Sequence, residues 1–234
     1  MNPPEAGTRE RILETATALF AEQDFRRVTV RAICRAAGVN VAAVNYHFGD
    51  KAALYREVVQ SALDAMRGTT DESRRLGEGR PPEEQLAIFV RTFVRRLLEA
   101  GERGHPRIHR LFQRETTEPS VHLERIVTEG VRPRIEYLSG IVSRIIGCAP
   151  DDPRVRRCIL SVQAQAFAVT PNPIARRLGF APTPADADGL AAHITRFSLA
   201  GIREIAREEP APRERRRRGP VSPARRARSS GRPA

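Results

Sequence analysis

The chain has 234 residues, of which 40% are hydrophobic, with 9 Phe, 3 Tyr and no Trp. This length can bury the core of one large domain or two modest ones, and no apolar run approaches the ~20 residues that a membrane-spanning helix needs. The first seven residues lack the basic and then apolar pattern of a secretory signal, so we predict a cytoplasmic protein with no membrane partner.

The net charge of +12 is unevenly distributed. Residues 213–234 contain nine arginines and one glutamate, a charge of +8, which leaves +4 for everything before them. The only large apolar residue in this stretch is Val221, so residues 210–234 are predicted to be a disordered Arg-rich tail. Such a tail would attract phosphate without regard to sequence, although a solvated tail with no specific role fits equally well.

Residues 9–22 predict the first helix. Its apolar side chains recur at helical spacing and would form one face: Ile12, Leu13, Ala16, Leu19 and Phe20. Phe25 is predicted to pack beneath this face, and the helix would brace the segment that follows.

Residues 29–51 predict two short helices joined by a tight turn. The hydroxyl of Thr29 can accept a hydrogen bond from a free amide in the first turn of a helix over residues 30–37. Gly38 can end that helix because glycine enters the left-handed backbone region at little cost.

Asn40 is placed to cap a second helix over residues 41–48, and Gly49 and Asp50 would end it and begin a third. Apolar residues fall where two crossed helices would bury them together: Ile33, Ala37, Val39, Val44 and Phe48. The pattern is that of a helix-turn-helix, in which the second helix enters the DNA major groove. A helical hairpin inside a core would show the same apolar pattern.

Polar side chains on and after the second helix favour the DNA-binding interpretation. The group consists of Asn40, Asn45, Tyr46, His47 and Lys51, and Lys51 is the only lysine among 40 basic residues.

Residues 8–63 resemble the DNA-binding domain of the TetR/AcrR family of bacterial regulators, through RILETATALFAEQDF, VTVRAICRAAGV and NYHFGDKAALYREV. The most specific part is an aromatic residue, His and Phe, followed three residues later by the lysine. The resemblance implies that phosphates are held by Tyr46, His47 and Lys51, and that base edges face Val41, Ala42, Ala43 and Asn45.

Three further residues complete the predicted DNA-binding set: Thr29, Arg31 and Asn40. Arg31 could equally be plain surface. Many family members carry tyrosine where this chain has Asn45, and an asparagine at that position can pair with an adenine edge.

After the helix-turn-helix, every segment predicts helix and none predicts a strand. We therefore expect an all-α fold, with a three-helix DNA-binding domain and connecting helix over residues 1–67. Residues 68–82 are polar and glycine-rich and predict a loop. A larger helical ligand-binding and dimerisation domain is expected over residues 83–209. Within it, a helix over residues 119–146 would be kinked or split by Pro133.

The C-terminal half also resembles a narrower group. LFQRETTEP, VRPRIEYLSGIVSRIIG, DDPRVRRCILSVQAQ and PIARRLG are similar to the C-terminal domain of CecR-type TetR regulators. The resemblance implies a helical domain that dimerises and senses an unidentified small molecule.

Four residues are predicted to bind the effector: Phe112, Glu115, Gln163 and Phe167. The segment CILSVQAQAFAV is apolar on nearly all sides and predicts a buried helix. Its polar side chains, Ser161, Gln163 and Gln165, would face a ligand, a partner subunit or nearby backbone. For Glu115 and its neighbour Arg114, a structural ion pair is favoured over ligand contact.

The last predicted helix carries a stripe with steps of 4, 3, 4 and 4 residues: Leu190, Ile194, Phe197, Gly201 and Ile205. The stripe fits a helix of a partner subunit or the preceding helix of the same chain. The family resemblance implies a homodimer through the last two helices, and such a dimer would read a palindrome.

Motifs of common enzyme classes are missing: there is no GxSxG, P-loop or HExxH, and the three cysteines form no CxxC pair. We therefore predict no catalytic residue, cofactor or metal site. The predicted function is a ligand-responsive transcriptional regulator, foremost a repressor that a small molecule releases from operator DNA. The alternatives are a sequence-independent nucleic-acid binder driven by the tail, and a binding module that no longer contacts DNA.

Overall fold

The computed structural model describes residues 3–98, 105–170 and 172–208. Within these ranges the regular elements are all helical, as predicted, and no strand occurs. The predicted tail over residues 210–234 lies outside the described residues. The helices are α1 (Pro3–Glu22), α2 (Val30–Ala37), α3 (Val41–Phe48), α4 (Lys51–Leu76), α5 (Pro82–Leu98), α6 (His105–Thr117), α7 (Leu123–Arg125), α8 (Arg132–Ile146), α9 (Pro153–Ala168), α10 (Pro173–Arg177) and α11 (Ala187–Ala206).

The first hydrophobic core joins α1, α2, α3 and the start of α4. Its fully buried members include Ile12, Phe20, Ile33, Val44 and Leu54. Two residues of α6, Ile108 and Leu111, belong to the same core although they lie far along the chain. Helix α6 therefore contributes to the packing of the N-terminal unit.

The predicted loop over residues 68–82 is wrong in its first part, because α4 continues without a break to Leu76. Thr69, Thr70 and Ser73 are buried on this helix. Their hydroxyls donate to carbonyl oxygens one turn earlier, at distances of 3.0, 3.3 and 2.8 Å respectively. Side chains that would favour a turn in isolation thus find partners on the helix itself. The result is one helix of 26 residues that starts in the first core and packs farther along against α5 and α8.

The second core lies between α5, α8, α9 and α11. Its fully buried members include Leu86, Phe89, Leu138, Ile141 and Val155.

The helical path before α8 contains a π-helical turn, Ile126–Val131. The predicted helix over residues 119–146 therefore begins later, at Leu123, and changes its winding before Pro133. Pro133 has no N–H to offer the carbonyl of Glu129 one turn earlier. Arg67 of α4 supplies a donor instead, since its Nε lies 3.3 Å from that oxygen. A side chain of the long helix α4 thus donates a hydrogen bond to a carbonyl of the π-helical turn.

Candidate DNA-binding surface and ligand cavity

The start and end of α2 are built as the sequence predicted. The Thr29 hydroxyl accepts a hydrogen bond from the Ala32 amide at 3.1 Å. Gly38 has a φ of 64°, in the left-handed region that glycine adopts readily. The tight turn between α2 and α3 follows directly from these two residues.

Helices α3 and α4 also begin at the predicted caps. The Asn40 side chain accepts from the Ala43 amide at 2.8 Å, and the Asp50 carboxylate accepts from the Ala53 amide at 2.6 Å. Each cap satisfies an amide that the helix leaves free. At the other end of α3, the Gly49 amide donates to the Asn45 carbonyl at 2.9 Å, so local hydrogen bonds hold both ends of this helix.

One side of α3 is buried and the other is open. Val44 and Phe48 pack into the N-terminal core, whereas Tyr46 is 76% exposed and Val41 is 44% exposed. Of the other predicted DNA-binding residues on α3, Ala42 and Asn45 are exposed, and Ala43 and His47 are half-buried. The exposed side places small side chains and an amide where an approaching base edge could meet them.

The predicted contacts before α3 are exposed as well. Thr29, Arg31 and Asn40 are all exposed. The side-chain oxygens of Thr29 and Asn40 already serve as caps. The Thr29 hydroxyl hydrogen and the Asn40 amide hydrogens are thus still available to donate to a phosphate.

Lys51 has a structural partner that the sequence did not indicate. Its ammonium donates to the carbonyls of Phe25 and Val28 at 2.8 and 2.9 Å, and it lies 4.3 Å from the centre of the Phe25 ring. Lys51 therefore ties the α1–α2 connection to the start of α4. An ammonium carries three hydrogens, so one of them is left for a phosphate.

Helix α6 connects the body of the protein to the DNA-binding unit through two neighbouring side chains. Arg114 donates to the Glu22 carbonyl at the end of α1 at 3.0 Å and forms an ion pair with Glu118 at 2.7 Å. Glu115 is buried and accepts from the Tyr55 hydroxyl and the Ser120 amide, both at 2.9 Å. The predicted structural ion pair thus forms at Arg114, whereas neutral donors hold Glu115.

Around Tyr55 lies a cluster of rings that belongs to the first core. Tyr55 contacts Phe20, Phe25 and His122, with ring centres 4.8, 4.9 and 5.5 Å apart. Burial, followed by the charge of Glu115, raises the pKa of Tyr55, and burial lowers the pKa of His122. These rings line an open hollow of about 680 Å³ between α1, α4 and α6.

A smaller and more apolar cavity, of about 230 Å³, lies within the body of the protein. Two of the four predicted effector residues, Phe112 and Phe167, line it. Glu115 lines the hollow beside Tyr55 instead, and Gln163 is buried on α9 without lining either space. The remaining walls are Met66, Thr69, Phe93, Leu97, Ile108, Gln113, Val131 and Arg134.

Among the lining residues that sequence reasoning missed, Arg134 is the charged one. It is buried on α8, one turn before Leu138 and two turns before Ile141, which are both fully buried. The sequence did contain a signal for the burial of Arg134, because this residue falls at helical spacing in the same apolar stripe as Leu138 and Ile141.

The exposed apolar surface of α9 and α11 differs from the predicted stripe. Ile194 packs within the second core, and Leu190 and Ile205 pack partly against it. Phe197 is 64% exposed, however, and Leu160 of α9 is 70% exposed. The α9 segment CILSVQAQAFAV, which was predicted to be a buried helix, therefore has one exposed side. Packing of the predicted α11 stripe against its own chain accounts for Leu190, Ile194 and Ile205 but not for Phe197.

The polar residues of α9 are matched mostly within the chain. The Ser161 hydroxyl donates to the Arg157 carbonyl at 3.1 Å, and the Gln165 amide donates to the Ser161 carbonyl at 3.2 Å. Gln165 also lies 3.3 Å from the Ser198 hydroxyl on α11. The first two bonds lie within α9, and the Gln165–Ser198 contact joins α9 to α11.

Across the described ranges, no helix combines the length and apolarity needed to cross a membrane. Among the same residues, no cluster of three or more His, Cys, Asp or Glu side chains is placed to hold a metal ion.

Two family models match the chain. Residues 12–58 match the model of bacterial regulatory proteins of the tetR family. Residues 82–202, just over half of the chain, match the model of the C-terminal domain of the HTH-type transcriptional dual regulator CecR.

Curated relatives match parts of the chain. The probable HTH-type transcriptional regulator YttP of Bacillus subtilis is 26% identical over 124 residues, which are 53% of this chain and 58% of YttP. The repressor KstR2 of Rhodococcus jostii is 36% identical over 75 residues, 29% of this chain and 37% of KstR2. The dual regulator CecR of Shigella flexneri is 23% identical over 153 residues, 63% of this chain and 68% of CecR. The chain thus spans less than two thirds of YttP and of KstR2.

Solved structures share the fold over most of the chain. The fatty acid degradation regulator FadR of Bacillus halodurans has a TM-score of 0.59 at 18% identity, covering 87% of this chain and 98% of FadR. A mutant of HlyIIR has a TM-score of 0.56 at 21% identity, covering 82% of this chain and 95% of that protein. The named relatives are regulators, in agreement with the prediction of a protein that is not an enzyme.

Proposed function

The chain belongs to the TetR family of bacterial regulatory proteins, with a C-terminal domain of the CecR type, and from this premise we propose that it is a ligand-responsive repressor. It would bind a palindromic operator as a homodimer and leave it when a small molecule enters the C-terminal body. Regulators of this family bind DNA and small-molecule effectors and act as dimers. Among the relatives, KstR2 is named a repressor and CecR a dual regulator.

The observation that carries the proposal is the exposed side of α3. The helix is capped by Asn40 at its start and by Gly49 at its end, and its buried side is held by Val44 and Phe48. Asn45 stands on the opposite, exposed side, where its amide could form two hydrogen bonds with an adenine edge in the major groove. Tyr46 is exposed beside it and could donate to a phosphate.

The open side of α9 and α11 supports dimerisation. Leu160 and Phe197 are large, apolar and mostly exposed in the single chain. Gly201 on α11 is exposed as well, and a Cβ there would meet nothing within 4 Å in the single chain. A second copy related by a two-fold axis would cover these residues and place two α3 helices on one side of the dimer. Two such helices would read half-sites about one DNA turn apart.

Helix α6 offers a route from the cavity to DNA. Ile108 and Phe112 line the cavity, and Leu111, one turn after Ile108 and beside Phe112, packs into the N-terminal core. A ligand that shifts α6 would therefore disturb both the Leu111 packing and the Tyr55–Glu115 hydrogen bond. By linkage, the ligand and DNA weaken each other by the same factor, typically ~5 to 150-fold.

Selection of bound sequences from random duplex DNA tests the proposal, at a fixed salt concentration because phosphate contacts depend steeply on salt. The wild-type chain is expected to enrich one palindrome. Asn45→Ala is expected to relax the preference at one base pair in each half-site, at a cost of about 1 to 3 kcal/mol per contact. Tyr46→Ala would weaken binding to all sequences alike.

The controls separate the alternatives. Arg75→Ala removes an exposed arginine of α4 outside the predicted set and should leave the selected sequence and the affinity unchanged. A chain that ends at residue 209 should select the same palindrome. If this shortened chain loses nearly all affinity for DNA and the full chain enriches no sequence, the results would favour a sequence-independent nucleic-acid binder driven by the tail over a repressor. Substitution of Lys51 would not measure phosphate binding alone, because it would also remove two structural hydrogen bonds.

A further inference from the structure

Arg134 is a buried charge without a carboxylate counter-ion in the described part of the chain. It lies near the start of α8, is only 8% exposed, and its Nε has no acceptor there. The only other buried side-chain atom in this condition among the described residues is the Thr170 hydroxyl oxygen. Buried arginines are ordinarily paired with a carboxylate, so Arg134 calls for a physical explanation.

A second buried arginine in the same body follows the ordinary rule. Arg154 is 7% exposed, and its Nη2 and Nε lie 3.0 and 3.2 Å from the carboxylate oxygens of Asp152. Its Nη1 donates to the Glu208 carbonyl at 2.8 Å. The chain thus supplies a full set of acceptors to one buried arginine and leaves the other without them.

Two aromatic rings surround the unpaired guanidinium. Its central carbon lies 5.4 Å from the centre of the Phe93 ring and 5.7 Å from that of Phe167. Such contacts offset part of the cost of burying a cation, but a ring face does not replace the hydrogen-bond acceptors that the N–H groups lose. Burial lowers the pKa of Arg134 to about 10, so the group is still a cation at neutral pH.

The guanidinium lines the cavity of about 230 Å³ described above. In the liquid, roughly eight waters would occupy this volume. Most of the other lining residues are apolar, including Met66, Leu97, Phe112 and Val131. An occupant that suits this space is small, apolar over most of its surface and negatively charged at one end.

We propose that the cavity binds a small monocarboxylate with an apolar body, and that the guanidinium of Arg134 receives the carboxylate. The planar fork of N–H donors on an arginine matches the two oxygens of a carboxylate. This inference rests on the effector role proposed for the same cavity and gives that effector a chemical class.

The position of Arg134 also suits an effector. It stands on α8, on a different helix from Ile108 and Phe112 of α6, which line the same cavity. A carboxylate bound at Arg134 would hold its apolar body against α6, the helix that packs on the DNA-binding unit. Occupancy of the cavity would therefore bear directly on that helix.

Calorimetric titration of the full-length protein with three probes of equal chain length tests the inference. Octanoate carries the anionic head, octanamide is its neutral counterpart of nearly the same shape, and octylammonium carries the opposite charge. Octanoate is expected to bind about tenfold or more tightly than octanamide, because hydrogen bonds to charged groups are the stronger ones. Octylammonium is expected not to bind, because it would place a second cation beside Arg134.

Arg134→Gln is expected to abolish the preference for octanoate over octanamide while both still enter the apolar space. Arg132→Gln is the matched control, since it removes an equal charge from an exposed position on the same helix, and it should keep the preference. Thermal unfolding without a probe shows whether each variant is folded. The comparison of the three probes on the wild-type protein does not depend on any variant.

Equal affinity of the wild-type protein for octanoate and octanamide would overturn the inference, as would an absence of octanoate binding or a preference that survives Arg134→Gln. The selection of DNA sequences can fail independently of the titration with the three probes. A protein that binds octanoate through Arg134 but selects no DNA sequence would contradict the repressor proposal and leave the carboxylate site standing. A protein that selects a palindrome but ignores the charge of the probe would do the reverse.

Discussion

The two halves of the molecule satisfy their polar groups in different ways. Within residues 29–51, each helix start has a cap from the adjacent residue, and the lone lysine is tied to two loop carbonyls. The C-terminal body instead contains a π-helical turn, a cavity and an unpaired buried arginine. The N-terminal unit thus satisfies its polar groups by local hydrogen bonds, whereas the C-terminal body contains a space and a buried cation that an occupant could satisfy.

Helix α6 is the exception to this division, because it belongs to both halves. One side lines the cavity through Phe112, and another inserts Leu111 into the N-terminal core. The C-terminal body is thus joined to the N-terminal unit through the packing of α6 as well as through the continuous helix α4.

Leu111→Ala is the substitution with the largest expected effect on this arrangement. The side chain is 2% exposed, and truncating a buried leucine costs about 2 to 5 kcal/mol. Because Leu111 packs in the N-terminal core, we expect near-UV signals from both halves to be lost in one transition at lower urea concentration. Equilibrium urea unfolding measures this change.

Leu76→Ala is the control for the same experiment, because this leucine at the end of α4 is 41% exposed. Its effect should stay within about 0.5 kcal/mol. Two separate transitions in Leu111→Ala, with the N-terminal one unchanged, would show that α6 does not join the halves.

The helix-turn-helix was predictable because its determinants lie within a few residues of each other. Thr29 and Asn40 each cap an amide three residues later, and Gly38 needs only its own backbone freedom. Spacing in the sequence therefore carries the geometry directly. The structural role of Lys51 was not predicted, since its acceptors at Phe25 and Val28 lie more than twenty residues away.

The lining of the cavity beside Arg134 was predicted poorly because burial there depends on several helices at once. Sequence reasoning chose Phe112 and Phe167 correctly as lining residues but also chose Glu115, whose partner Tyr55 lies on α4. It missed Arg134 because arginines are mostly surface residues. Residues 68–76 were wrongly predicted to be a loop for a related reason. Thr69, Thr70 and Ser73 are typical of turns in a sequence, and only the structure shows that their hydroxyls donate to carbonyls of α4.

The paired arginine gives the second prediction. Asp152→Asn keeps a side-chain oxygen for the cap of α9 but leaves the charge of Arg154 without a counter-ion. We expect a clear drop in melting temperature, smaller than that of Leu111→Ala because part of the Asp152 side chain reaches solvent. Arg134→Met, by contrast, should leave the melting temperature of the ligand-free protein unchanged or raise it, because an apolar side chain replaces an unpaired buried charge.

Differential scanning calorimetry of the two variants beside the wild type measures this contrast. Arg132→Met, an exposed change on the same helix as Arg134, controls for loss of charge alone. A loss of stability in Arg134→Met comparable to that in Asp152→Asn would mean that Arg134 has a structural partner after all.

The smallest expected effect is a dependence of stability on pH through His122, at the hollow between the halves. Burial lowers the pKa of His122 below its usual 6.5, and Arg125 and Arg56 act in the same direction while Glu115 opposes them. The unfolded chain therefore binds a proton more readily than the folded one. This contribution to stability is complete above about pH 6.5 and is lost as the pH falls through the folded-state pKa. His122→Asn should flatten the decline in urea midpoint between about pH 7.5 and 5, whereas His193→Asn, at an exposed position on α11, should not. An unchanged slope in His122→Asn would place the acid sensitivity on other groups and leave the hollow without a role in it.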